Sequence, residues 1–249
     1  MKSLLAAFAF LTRFPVGKFV ACDASDVARS AGWFPLVGNF LGLVYSLAAA
    51  LVKDHLPVGV VAVLLVILDA LLTGALHADG LADTADGFGG GKDREDTLRI
   101  MRDHSIGSYG GVALALLVAL KVTAYAALLS RGNWIPAVIL IPALGRWSML
   151  LLTAALPYAR PSESVIDGMG KRSLLWGTAV ILPALAVAAS LRAWIALGAV
   201  AAVSVIFGLY CRRRIGGITG DTLGANLQLS ESAALLAFLW TAHAQLNPQ

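Results

Sequence analysis

Long uncharged runs of apolar residues decide what this chain can fold into. Four of them are long enough to cross the roughly 30 Å of hydrocarbon in a bilayer. These four runs cover residues 31–52, 57–76, 173–191 and 193–211, and their only charged residue is Asp69. Apolar residues make up 58% of the 249 residues and charged residues 14%, against about 45–50% and about 25% in soluble proteins. This composition excludes a soluble globule and a disordered chain, and two cysteines exclude a disulfide scaffold. We therefore predict an integral membrane protein.

Further apolar segments complete a predicted all-α bundle. Two of them, residues 106–129 and 134–156, contain one cation each. A third, residues 232–246, is short enough to be either a seventh span or an interfacial helix. The first 15 residues contain an apolar run only over residues 4–11, which predicts a retained amphipathic helix at the interface and not a signal peptide. We predict a polytopic bundle of six to seven transmembrane helices plus this N-terminal helix. No internal repeat is visible, so residues 1–249 are expected to form a single membrane domain.

The positive charges predict an orientation for the bundle. With seven spans, fourteen of the nineteen Lys and Arg residues fall on one side and only Lys53, Arg131 and Arg192 on the other. Because Lys and Arg are enriched in cytoplasmic loops, we expect the N-terminus and the three long loops to be cytoplasmic. This asymmetry also accounts for the net charge of +4 without a nucleic-acid partner, and none is expected.

The densest polar stretch lies at the cytoplasmic end of the second predicted span. Asp79, Asp83 and Asp86 are spaced i, i+4 and i+7, which places them on one face of a helix. Three like charges so close repel one another unless a cation neutralises them, and Mg²⁺ is usually held by a few carboxylates while a substrate phosphate completes its octahedron. The spacing therefore favours a site for Mg²⁺ and phosphate, and the alternative is a solvated loop with turn-forming Asp-Gly pairs.

Two glycine-rich elements are candidates for contacts with a polyanion. Gly89 and Gly90 follow the acidic cluster and would let the backbone approach phosphate closely or merely turn a loop. The second element opens the last apolar helix, where free backbone amides favour an anion. Its Asp221 is either a plain N-cap or a carboxylate directed at the same Mg²⁺. The candidate binding residues of this element are Gly217, Gly220 and Asn226.

Charged residues between these two elements complete the candidate site. Arg99 and Arg102 could receive phosphate. Glu95 and Asp103 are each spaced to form an i,i+4 ion pair with Arg99, and Asp93 is expected to be an N-cap. A structural role is adequate for all of these except Asp103, which we keep as a catalytic candidate.

Two cations stand inside predicted spans. A Lys or Arg at mid-span costs about 2.5–3.5 kcal/mol on insertion scales and therefore normally faces a partner or a cavity. Arg146 is expected to meet phosphate or Asp69 and to serve catalysis or the folding of the site, whereas Lys121 is expected to snorkel to the interface. His77 and His104 have no Cys or His neighbours at zinc-ligand spacing, so no zinc site is expected.

Several motifs are similar to those of a known family. They are FPLVG from Phe34, GALHADGLADTADGFGGG from Gly74, IMRD from Ile100 with IGSYG from Ile106, and GGITGDTLGA from Gly216. With these the chain resembles the cobalamin-5′-phosphate synthase family, the adenosylcobinamide-GDP ribazoletransferases, over nearly its whole length. One departure is the pair His104-Ser105, because the family pattern has Ser directly after the residue equivalent to Asp103.

The resemblance implies the last assembly step of cobalamin in the bacterial cytoplasmic membrane. In this step the cobinamide phosphoryl group passes from adenosylcobinamide-GDP to α-ribazole or its 5′-phosphate, GMP leaves, and Mg²⁺ is required. By resemblance, Asp79, Asp83 and Asp86 would hold the metal, with Asp103 and Asp221 as the next candidates. Which carboxylate is instead the general base stays open, as does the oligomeric state, for which a homo-oligomer is one option.

Three other functions fit part of the pattern. A CDP-alcohol phosphotransferase does similar chemistry, but Asp83 replaces the Arg of its Asp-Gly-x-x-Ala-Arg signature. A membrane prenyltransferase also uses Asp-rich helices with Mg²⁺ and pyrophosphate. A transporter would use Asp69, Lys121 and Arg146 as its pathway, and the lack of an internal repeat disfavours it.

Overall fold

The computed structural model describes residues 2–18, 23–103, 105–160, 169–188 and 190–240, and these residues form eleven α-helices without a β-sheet. The helices are α1 Lys2–Leu11, α2 Ala24–Ser30, α3 Phe34–Val52, α4 Val58–Thr73, α5 Leu76–Gly90, α6 Arg94–Ile100, α7 Ser108–Leu129, α8 Ile135–Ala155, α9 Lys171–Ala188, α10 Leu191–Ile215 and α11 Gly220–Leu239. The prediction of an all-α membrane bundle is confirmed.

Four helical segments of the described chain are long and apolar enough to cross a membrane, namely Ala24–Val52, α7, α8 and α10. A fifth arises if α4 and α5, which are bent by 91° relative to each other, form one broken span. The predicted spans over residues 173–191 and 232–246 correspond to α9 and to the end of α11, and neither helix is among the four, so their crossing stays a prediction. The last helix begins within the second glycine-rich element, as predicted, because α11 runs from Gly220 to Leu239. Residues 241–246 lie outside the described residues.

Helix α8 lies at the centre of the bundle and contacts α3, α9, α10 and α11. Its approach to α3 is very close. A Cβ at Gly38 or Gly42 would lie only 2.5 Å from the carbonyl oxygen of Pro142 or Ile139. Small residues four positions apart let the backbones of membrane helices approach in this way, so α3 and α8 form a tightly packed pair.

The predicted N-terminal helix is present as α1. Its Ala6, Ala7 and Leu11 are buried, and α1 packs on α2 and α3. Lys2 Nζ lies 2.8 Å from the carboxylate of Asp26 on α2. The opening segment is thus a packed part of the fold, and its position at a membrane interface stays a prediction.

The acidic cluster is on a helix, and a sharp turn sets the direction of that helix. Gly74 and Ala75 both have left-handed backbone angles, with φ of 64° and 56°, and the chain changes direction there between α4 and α5. The backbone N–H of Arg13 donates to the carbonyl oxygen of Leu72, at 2.7 Å, just before this turn. Helix α5 then packs against α11, α7 and α6, which brings it to the second glycine-rich element.

Candidate active site

The two glycine-containing motifs meet where α5 crosses α11. A Cβ at Gly80 would lie 2.8 Å from the carbonyl oxygen of Asp221, and a Cβ at Gly224 would lie 3.2 Å from Cα of His77. The two helices therefore contact each other through their backbones, and neither glycine leaves room for a side chain. This contact brings Asp79 on α5 and Asp221 on α11 to the lining of one cavity.

The cavity at this crossing has a volume of about 200 Å³. Its polar lining includes Asp79, Asp221, His77 and Thr153. Apolar side chains make up most of the rest: Phe10, Phe34, Leu76, Met149, Leu150, Met169 and Leu223. An apolar pocket with a few convergent polar groups is the usual form of a small-molecule site, and here the polar groups include carboxylates of both motifs.

The three aspartates of α5 differ in their surroundings. Asp79 is exposed, Asp83 is half-buried and Asp86 is buried. Both carboxylate oxygens of Asp86 accept hydrogen bonds from the first turn of α7, from the N–H of Gly107 at 2.8 Å and from the N–H of Gly110 at 2.9 Å. Asp86 therefore caps α7 in this structure, and its predicted role as a metal ligand stays a prediction.

Asp221 is not the N-cap of α11. The cap is Thr219, whose Oγ1 accepts from the N–H of Thr222, while Thr222 Oγ1 accepts from the N–H of Thr219. The alternative that made Asp221 a plain cap is wrong for this reason. Asp221 stands in the first turn, with its carboxylate 3.6 Å from a guanidinium nitrogen of Arg160, and it lines the cavity.

The described side chains contain no group of three or more His, Cys, Asp or Glu residues that could hold a metal ion by themselves. Mg²⁺ does not require such a group, since it is usually bound by one or two carboxylates plus substrate phosphates. Asp79 and Asp221 supply two hard oxygen donors at one cavity. The residues present therefore fit Mg²⁺ shared with a phosphate substrate.

Three arginines that the sequence analysis did not single out join the loops around this site. They donate to carbonyl oxygens at 2.8–3.1 Å: Arg94 to Ile215 and Ala159, Arg214 to Phe88 and Gly91, and Arg160 to Leu98. The segment after α8 is also tied to the start of the second motif, because the N–H of Ala159 donates to the carbonyl oxygen of Ile218 at 2.7 Å. These bonds join α5 and α6 to the end of α10 and to the segments that follow α8 and precede α11.

The predicted charge pairs of α6 are only partly present. Asp93 is the N-cap of α6, as predicted. Arg99 pairs with Asp96 at 2.6 Å and not with Glu95, because the i,i+3 carboxylate holds both Nε and Nη2. This bond holds the pKa of Asp96 below its ordinary value. Arg99 and Arg102 are both exposed, so phosphate contacts of either residue stay predictions.

The remaining candidates lie at different depths. Asp103 is exposed in the turn after α6 and accepts from the N–H of Ser105, while His104 lies outside the described residues. Gly89 and Gly90 form the exposed last turn of α5. A Cβ at Gly217 would collide with the carbonyl oxygen of Pro157. Gly220 lines the cavity, and a Cβ added to it would meet no atom within 4 Å.

Asn226 does not line the cavity. It is fully buried and its Nδ2 donates to Ser148 Oγ at 3.0 Å and to Ser204 Oγ at 3.2 Å. It therefore joins α11 to α8 and α10 inside the bundle, and the structure gives it a packing role.

Arg146 belongs to a buried ion network in the interior of the bundle. Its Nη1 donates to Glu231 Oε1 at 2.5 Å, and Glu231 Oε2 accepts from Lys121 Nζ at 2.7 Å. Lys121 Nζ also lies 3.5 Å from Asp69, whose other oxygen accepts from the hydroxyl of Tyr45 at 2.7 Å. The prediction that Lys121 snorkels is wrong, because its side chain is 4% exposed and pairs with carboxylates.

The sequence analysis missed Glu231, although a signal for it was present. Asp69, Lys121 and Arg146 leave one positive charge unbalanced in the bundle, and buried charges in membranes normally pair with one another. A further carboxylate on an apolar helix was therefore required. The predicted apolar span at residues 232–246 begins one position after Glu231 and therefore did not include it.

Comparisons with known proteins agree with the motifs. A family model described as cobalamin-5-phosphate synthase matches residues 3–239. Among the curated relatives, the adenosylcobinamide-GDP ribazoletransferase of Syntrophobacter fumaroxidans is 38% identical over 93% of this chain and 95% of its own length. The proteins of the same name from Ectopseudomonas mendocina and from Clostridium botulinum strain Okra are 41% and 38% identical, over 93% and 96% of this chain and 96% and 99% of their own lengths.

No solved structure shows a significant match. The family assignment therefore depends on the sequence comparisons, which cover almost the entire chain and include both motifs that meet at the cavity. The chain belongs to the cobalamin-5-phosphate synthase family.

Proposed function

We propose that this protein is an adenosylcobinamide-GDP ribazoletransferase of the bacterial cytoplasmic membrane. It transfers the cobinamide phosphoryl group from adenosylcobinamide-GDP to α-ribazole or its 5′-phosphate and releases GMP, which completes cobalamin. The observation that carries the proposal is the crossing of α5 and α11, where Asp79 and Asp221 line one cavity. The names of the curated relatives support the same reaction.

Mg²⁺ is the proposed cofactor. Asp79 and Asp221 would hold it, with Asp83 one turn further along α5. When bound, Mg²⁺ supplies neutralisation of the charge that develops on the pyrophosphate as the phosphoryl group is transferred. The other contributions come from the chain itself, which binds the substrates, orients them and receives a proton.

The first turn of α11 provides contacts for the phosphate groups. Backbone N–H groups at a helix N-terminus favour an anion, and the Arg160 guanidinium beside Asp221 adds a positive charge. The acceptor hydroxyl must lose its proton to a base within hydrogen-bond reach. For an acceptor in the cavity, Asp79 and Asp221 meet this condition, whereas Asp103 lies in the turn after α6 and is not among the residues that line the cavity.

Arg146 does not contact the substrates in the proposed mechanism. It is fully buried and paired with Glu231, while other residues of α8, Met149, Leu150 and Thr153, line the cavity. Arg146 is therefore a positioning residue that fixes α8 against α11, and not a residue that touches phosphate.

The proposal is tested with purified protein in lipid nanodiscs. Incubation with adenosylcobinamide-GDP and α-ribazole should release GMP and form adenosylcobalamin, EDTA should stop the reaction, and added Mg²⁺ should restore it. An isoprenyl diphosphate and a CDP-alcohol should not be consumed. Consumption of either compound without GMP release from adenosylcobinamide-GDP would reject the proposal in favour of a prenyltransferase or a CDP-alcohol phosphotransferase.

A further inference from the structure

The cavity at the α5–α11 crossing has two chemically different parts. One part carries the carboxylates of Asp79 and Asp221. The other is mostly apolar, and its aromatic residues are Phe10, Phe34 and Tyr158. The rings of Phe10 and Phe34 are stacked, with centroids 5.8 Å apart and an interplanar angle of 23°. Contact of phosphate or ribose with this apolar lining is unfavourable, because burial of polar groups against apolar side chains costs free energy. The apolar part of the cavity is suited to an aromatic ring.

The volume of the cavity limits what can enter it. Pockets for drug-sized ligands measure about 300–1,000 Å³, and this cavity has about 200 Å³. A corrinoid joined to GDP cannot be enclosed in this space. The aromatic base of a nucleoside can, with its ribose next to the carboxylates.

His77 adds a polar group that requires a partner. The residue is 2% exposed and lines the cavity, but its Nε2 has no hydrogen-bond partner among the described residues. Buried polar atoms are nearly always hydrogen-bonded. The close contact of Gly224 with Cα of His77 fixes the backbone of this residue against α11, and a ligand in the cavity would supply a partner for its Nε2.

From these observations we infer that the cavity is the subsite for the acceptor nucleoside. The base of α-ribazole packs against Phe10, Phe34 and Met149, His77 Nε2 hydrogen-bonds a polar atom of the nucleoside, and the ribose faces Asp79 and Asp221. The donor, adenosylcobinamide-GDP, stays outside this cavity and presents its pyrophosphate to the same carboxylates. This inference depends on the proposed function.

Two substitutions from different walls fill the cavity without touching a carboxylate. Thr153→Leu enlarges a side chain of α8 whose hydroxyl bonds only within its own helix, to the carbonyl oxygen of Leu150. Gly220→Val adds a side chain where a Cβ meets open space. The matched control is Thr123→Leu, the same change at an exposed position of α7 whose hydroxyl also bonds within its helix.

The measurement is equilibrium binding of radiolabelled α-ribazole, and separately of adenosylcobinamide-GDP, to each protein in nanodiscs. Thr153→Leu and Gly220→Val should weaken α-ribazole binding by about tenfold or more, since overpacking a formed pocket has a cost of this order. Thr153→Leu should keep donor binding within about twofold of the parent, which also shows that it is folded. Gly220→Val stands in the first turn of α11, so only its α-ribazole binding is compared with the parent. Thr123→Leu should match the parent in both assays.

Parental α-ribazole affinity in both cavity variants would overturn the inference, and so would an equal loss of donor and acceptor binding in Thr153→Leu. Turnover distinguishes this failure from failure of the proposed function. GMP release by the parent, with an unchanged KM for α-ribazole in both cavity variants, would reject the subsite and leave the function standing. Selective loss of α-ribazole binding, with no GMP release by the parent, would reject the function and leave the subsite standing.

Discussion

Single residues show how this bundle accommodates charge in its interior. Two carboxylates, Asp69 and Glu231, balance two cations, Lys121 and Arg146, through contacts of 2.5–3.5 Å. Three of these four residues could be identified from the sequence as costly intramembrane charges, but their partners could not. The pairing depends on which faces of α4, α7, α8 and α11 meet, and a linear sequence does not contain that information.

Glu231→Gln should destabilise the protein strongly. The variant leaves two buried cations with one carboxylate, and removing one partner of a buried ion pair costs about 3–5 kcal/mol. Thermal unfolding of the purified protein in detergent should show a clearly lower Tm, while Glu231→Asp, which keeps the charge, should lie between the variant and the parent. A parental Tm for Glu231→Gln would show that the network contributes nothing to folding.

Asp86→Asn tests the role that the structure gives to Asp86. An amide can keep only one of the two acceptor oxygens that hold the N-terminus of α7, and loss of a hydrogen bond to a charged group costs about 1.5–3 kcal/mol. We expect a lower Tm and a Mg²⁺ concentration dependence of turnover close to that of the parent. A parental Tm together with a large shift in the Mg²⁺ requirement would instead make Asp86 a metal ligand.

At the level of elements, the crossing of α5 and α11 is the decisive contact, and Gly80 makes it close. Gly80→Ala would place a Cβ 2.8 Å from the carbonyl oxygen of Asp221 and should force the helices apart. GMP release should fall sharply even where the protein remains folded. The control is Gly198→Ala within α10, where a Cβ meets nothing and should stabilise by about 0.5–1 kcal/mol through helix propensity. Equal activity of the two variants would contradict the proposed geometry.

Helix formation was largely predictable, while helix ends and directions were not. The i, i+4, i+7 spacing correctly placed the acidic cluster on a helix, because periodicity is a local property. The 91° bend before α5 depends on left-handed backbone angles at Gly74 and Ala75, and no local pattern required an alanine to adopt one. The last helix begins at the glycine-rich element, as expected, but its predicted apolar span began only at residue 232 because polar residues such as Gln228 and Glu231 interrupt the hydropathy. These residues are nevertheless buried.

At the scale of the whole molecule, the charge asymmetry agrees with the positions of the side chains. Arg131, on the side with few charges, donates to the carbonyl oxygens of Phe238 and Leu239 at the end of α11. Asp221 and Arg160 lie together at the other end of that helix. A reporter fused after Arg172 should therefore be cytoplasmic and one fused at Arg131 external. The opposite labelling would reverse the position of the active site relative to the membrane.

In the proposed mechanism, Asp79 and Asp221 act together, through Mg²⁺, on one pyrophosphate. The most direct measurement is the rate of GMP release from adenosylcobinamide-GDP as a function of Mg²⁺ concentration, for the parent, Asp79→Asn and Asp221→Asn. Asparagine keeps the size of the side chain and removes its charge, so both variants should fold, require more Mg²⁺ and lose roughly a hundredfold or more in rate at saturation. Parental rates in both variants, or a parent that EDTA does not inhibit, would contradict the account.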